Sequence, residues 1–109
     1  MTTIFNDRER SFEKRFAQEE ELKFKATARR NHSAGLWAAQ KLGLTRADSD
    51  AYAQSLVTIE LDKPGSDAVF AKIDADFRAH GISMPPDQIR RMMSDFMKEA
   101  TVELNSPVR

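Results

Sequence analysis

"PDQIRRMMSDFMKEATVEL", Pro86 to Leu104, carries the clearest periodicity in the chain. Its apolar stripe is Ile89, Met92, Met93, Phe96, Met97, Ala100 and Leu104, spaced by threes and fours. That spacing puts them on one face of an α-helix, with acids and bases on the other. Pro86 suits the first turn, where its missing N–H costs nothing. The stripe predicts a helix over 86–104 with one side against a core. At helical spacing, methionines read more simply as core than as an adaptable binding surface.

The same pattern extends back toward the N-terminus. Breakers are few: Gly43, Pro64-Gly65, and Gly81 through Pro85-Pro86. They divide the 109 residues into four stretches, each with helical spacing and none with the alternation of a strand. Ser66 opens a third helix, 66–80, whose face is Val69, Phe70, Ile73 and Phe77, and Gly81 is placed to cap its end. Thr45-Arg46-Ala47-Asp48 resembles a capping box opening the second helix, 46–62, with Tyr52, Leu56 and Ile59 on one side and Val57 and Leu61 beside them. The first stretch runs from about Asn6 to Leu42, with Asn6 and Glu9 resembling a capping pair. Glu19–Lys23 and Glu21–Lys25 are acid-first pairs four apart. The fold class is therefore all-α, a compact four-helix bundle in which Phe70, Ile73, Phe77, Met93 and Phe96 share one core with Trp37.

The first stretch has two parts. In "FNDRERSFEKRFAQEE", Phe5 to Glu20, three phenylalanines stand among acids and bases. On a helical wheel Phe5, Phe12 and Phe16 fall within roughly 40° of each other, while a core-facing helix shows an apolar face at least about 100° wide. Apolar density rises only from Leu22, with Phe24, Ala26, Ala28, Leu36, Trp37 and Leu42. Residues 1–18 thus read as an overhang, mobile or partly helical, and residues 19–105 as the bundle, its first helix over 19–43. Two readings fit a narrow line of anchors on a charged helix: insertion into a partner's groove, or a solvated helix whose phenylalanines fold back onto the bundle edge.

Composition narrows the function classes. With no cysteine, disulfides and thiolate metal sites are excluded, and a reducing, cytosolic setting fits. No apolar run nears the ~20 residues of a membrane span, and no export signal is read at the N-terminus. The formal net charge of 0 argues against a general nucleic-acid binder. Residues 1–31 hold eight bases and six acids, which leaves that segment at +2 and the remainder at −2. Glycines are scattered singly, so there is no phosphate loop, and His32 and His80 have no second histidine at ligand spacing. Nothing here supports catalysis, a metal or a cofactor. Arg29, Arg30 and Trp37 are candidates for weak contact with a phosphate or nucleotide; an ion-paired helix surface is the alternative.

One further pattern runs from Phe5 to Ala39. The "DRER" element (residues 7–10), Phe24-Lys25, the "ARRN" element (residues 28–31) and "GLWAA" (residues 35–39), in this order, resemble the zeta subunit family. That family comprises inhibitors of the rotary ATP synthase of alphaproteobacteria and was long filed as a domain of unknown function. The likeness covers essentially the whole chain and is looser from about Asp62. It implies a four-helix, non-enzymatic protein whose N-terminal segment enters the catalytic head and blocks ATP hydrolysis. The implied partners are the alpha and beta subunits of the head and the gamma subunit of the rotor shaft. The alternative, read from Arg29, Arg30 and Trp37 and not from the resemblance, is a ligand-responsive helical module that binds ATP or ADP weakly. The implied contact residues are Phe5, Asp7, Arg8, Glu9, Arg10, Phe12, Glu13 and Phe16. The implied location is cytoplasmic, peripheral at the inner face of the plasma membrane when bound.

Overall fold

A computed structural model of the chain describes residues 3–105, with side chains from Arg8 onward. Four helices follow one another: α1 (Thr3–Leu42), α2 (Arg46–Asp62), α3 (Asp67–Ala79) and α4 (Pro86–Asn105). Among the described residues there is no strand, and the all-α bundle is as expected. The last three helices match their expected spans to within a residue at each end. The first differs. α1 is one unbroken helix of 40 residues that crosses the 18/19 boundary without a break. No glycine or proline lies between Thr3 and Ala34 to stop it. Asn6 therefore lies inside the helix, not at its cap.

Three caps have identifiable causes. Thr45 Oγ1 accepts a hydrogen bond from the Asp48 amide at 3.2 Å, as a capping threonine should. After α3, Gly81 adopts φ +70° and donates to the Arg78 carbonyl, while Ile82 donates to that of Phe77. After α1, Gly43 at φ +74° donates to Gln40 and Leu44 to Ala39. Both are Schellman closures, and the left-handed residue in each is the glycine that can hold it without a Cβ clash.

α2 and α4 both run back along α1. The core joins Ala34 and Ala38 of α1 to Leu56, Val69, Ile73, Phe77, Ile89 and Met93. Trp37, Phe70 and Phe96 pack against it, partly buried. Trp37 meets the Phe77 ring edge-on, with centroids 5.6 Å apart and planes at 70°. The α1–α2 crossing is made by small residues. A Cβ on Gly35 would stand 2.5 Å from the Ala53 Cα, so the two backbones approach as closely as glycine allows. Ala34, Ala38, Ala39 and Ala53 are all fully buried there.

Candidate functional site: the overhanging half of α1

Every described side chain from residue 8 to residue 25 is exposed, and the first buried one is Ala26. The overhang is thus longer than its apolar density suggests. Leu22 and Phe24, expected to begin the core, are 41% and 59% exposed. The reason is length. The last turn of α2 and Pro64 lie beside Glu20, Lys23, Phe24, Thr27 and Ala28 and leave an open cleft there. The end of α4, from Met97 to Asn105, lies beside Glu19, Leu22, Lys23 and Ala26, and of these only Ala26 is buried. The molecule is correspondingly elongated, 68 × 32 × 23 Å. Within α1, Lys25 pairs with Glu21 at 3.1 Å as expected, whereas Lys23 lies 3.8 Å from Glu20 rather than pairing with Glu19.

Phe12 is 70% exposed and Phe16 57%. An exposed phenylalanine on a helix surface leaves apolar area in water that a partner could bury. Placed at about 100° per residue, Arg8 and Arg15 border the phenylalanine line on one side, and Glu9 and Glu13 border it on the other. Arg8, Glu9, Arg10 and Glu13 are all exposed. The surface offered is a thin apolar rail with a basic edge and an acidic edge. Such a rail has an orientation, because turning it over exchanges the signs. Phe5 and Asp7 lie outside the described side chains.

Arg29, Arg30 and Trp37 do not converge. Arg29 points to α4 and pairs with Glu103 at 3.1 Å. Trp37 turns toward α3 and Phe77. Arg30 is 8% exposed and lies between α1 and α2. Its guanidinium donates to Glu60 Oε1 at 3.0 Å and to Asn31 Oδ1 at 2.9 Å, and Asn31 donates to the same Glu60 oxygen at 3.1 Å. Glu60 Oε2 accepts from the Gly65 amide at 2.7 Å. Burial lowers the Arg30 pKa and the Glu60 carboxylate opposes that shift. This is a buried polar clamp joining α1, α2 and the turn after α2. Sequence reasoning missed it, since Arg30 and Glu60 are 30 residues apart. Among the described residues, no group of side chains is arranged to hold a metal ion. No helix among them is long and apolar enough to cross a membrane.

Comparison with known families then decides the assignment. The model of the family described as ATPase inhibitor subunit zeta matches residues 1–103. The chain belongs to the ATPase inhibitor subunit zeta family. No individual curated protein matches it. For a zeta-family inhibitor, interaction with an ATP synthase is implied, and membership suggests a non-catalytic protein. A bundle with a charged, phenylalanine-bearing helix projecting from it is in keeping with a protein that acts by contact.

Proposed function

We propose that the chain blocks ATP hydrolysis by inserting the N-terminal half of α1 into the catalytic head of the synthase. The observation that carries this is the exposure of the rail: every side chain of residues 8–25 is exposed, yet two phenylalanines stand on one line there. Helix-in-groove recognition uses such a line of anchors. Residues 1–18 are the inhibitory segment and residues 19–105 the bundle that carries it. The groove lies between alpha and beta subunits and beside the gamma shaft, and the chain sits at the inner face of the plasma membrane when bound. Phe12 and Phe16, with Phe5 before them, are the anchors. Arg8, Arg10, Glu9 and Glu13, together with Asp7, orient the helix. Inhibition then requires no chemistry of its own, only occupancy of a catalytic interface that must change shape to turn over.

The test is ATP hydrolysis by the cognate head, titrated with parent, Phe16→Ala, and a form beginning at Glu19. Buried anchors typically carry about 2 kcal/mol or more on truncation, so Phe16→Ala should inhibit roughly thirtyfold more weakly. The shortened form should not inhibit at all. Full inhibition by the shortened form would move the effector into the bundle.

A further inference from the structure

Between α1 and the end of α2 lies an open cleft of about 380 Å³, lined by Lys23, Phe24, Thr27, Val57, Leu61 and Pro64, among others. Two of its walls are large apolar side chains left in water: Phe24 and Leu61 are each 59% exposed. Of its charged neighbours, Glu60 is engaged, while Glu20 and Lys23 stand exposed at the rim, 3.8 Å apart. Both oxygens of Glu60 are taken, by Arg30, Asn31 and the Gly65 amide. What remains free inside that rim is apolar surface, which selects an apolar occupant.

Position identifies where that occupant comes from. Counting about 100° per residue along α1, Lys23 and Thr27 stand near the line of Phe12 and Phe16, and Phe24 stands roughly 100° round from it, past the acidic edge. The cleft therefore opens beside the phenylalanine rail, on its acidic side, and the two share an edge at Lys23 and Thr27. From Phe16 to Phe24 is about 12 Å along the helix axis. A partner gripping the rail continues directly over the cleft.

We propose that the cleft is a second contact with the synthase head, receiving an aliphatic or aromatic side chain from the subunit that flanks the inserted helix. This rests on the insertion reading. The first contact holds the inhibitory segment, and the second fixes the bundle against the outer edge of the same groove. The segment then enters to one depth and in one rotation.

The experiment uses the full chain with Phe24→Gln and Leu61→Gln, singly and together, beside Phe16→Ala. Each is titrated against ATP hydrolysis by the cognate head, and each is melted and sedimented. Both cleft residues are more than half exposed, so the double variant should melt and sediment like the parent. It should inhibit about tenfold more weakly, the loss of one modest anchor. Should the double variant melt early, Leu61→Gln alone carries the comparison, with a severalfold loss expected. Undiminished inhibition by the cleft variants, with Phe16→Ala impaired, overturns the cleft and leaves insertion standing. Impaired cleft variants with undiminished Phe16→Ala overturn the insertion reading and leave the cleft as a docking contact. A parent that sediments as a dimer, dissociated by Leu61→Gln, makes a second copy of the chain the occupant and overturns the proposal.

Discussion

Glu60 accepts three hydrogen bonds, from Arg30, Asn31 and the Gly65 amide, at a site where Arg30 is almost wholly buried. Removing one partner of a buried ion pair leaves the other charge without compensation, at about 3–5 kcal/mol. In Glu60→Gln the amide also turns a donor either toward the Gly65 N–H or toward the Arg30 and Asn31 donors. We expect a loss near 3 kcal/mol, a fall in melting temperature on the order of 10–20 °C for a domain of this size. A melt within 3 °C of the parent would mean that the clamp contributes little. Gly35 is the second sensitive residue. Gly35→Ala gains about 1 kcal/mol of helix propensity but drives its Cβ against the Ala53 backbone. Overpacking costs about 1–3 kcal/mol, so the net change should be a lower melting temperature. Ala53→Gly should not rescue it, because the opposing atom is the Ala53 Cα. Neither site announces itself in sequence. Arg30 reads as a phosphate contact or a surface ion pair and Glu60 as an ordinary surface charge, and Gly35, between Ala34 and Leu36, gives no sign of which backbone will approach it.

At the scale of elements, periodicity and punctuation carried most of the fold. The stripes of α3 and α4 lead to Ile73, Phe77, Ile89 and Met93, all in the core. Thr45 and Gly81 stop and start helices by local chemistry alone, with little input from the rest of the chain. Leu22, Phe24 and Leu61 went the other way, because apolarity does not say whether a neighbouring helix extends far enough to cover them. The phenylalanine rail was legible for the opposite reason, being too narrow to be a core face at all. Its helix has consequences for dynamics. Isolated helices shorter than about 12–15 residues are marginal in water, and most helical stability comes from packing one face. Residues 8–18 pack no face, although α1 is helical through them. Their amides should therefore exchange orders of magnitude faster than those around Ile73 or Met93 in the free protein. Binding to the head should slow them. Equal protection of residues 8–18 and the core in the free protein would show that the overhang is stabilised by contacts of its own.

For the whole molecule, the exposure pattern divides stability from inhibition along the chain. Among the described residues all buried side chains lie from Ala26 onward, and a form beginning at Glu19 keeps every one of them. It should melt within a few degrees of the parent, losing only the modest support that the preceding turns lend to residues 19–25. The net charge of 0 hides a +2 segment over residues 1–31 and a −2 remainder. Charges on a rim mainly set the rate of encounter, and salt screens them beyond about 8 Å at physiological ionic strength. Inhibition by the parent should accordingly set in more slowly as salt rises, with the rate of release nearly constant. Arg8→Gln and Arg15→Gln together should flatten that dependence while leaving most of the affinity, since they border the rail and do not fill a pocket. Phe16→Ala should do the reverse, with a normal salt slope and fast release. Association and release rates measured across a salt series separate the two contributions. If the arginine pair instead accelerated release as strongly as Phe16→Ala, those arginines would be buried against the head, and the inserted face would be wider than the phenylalanine line.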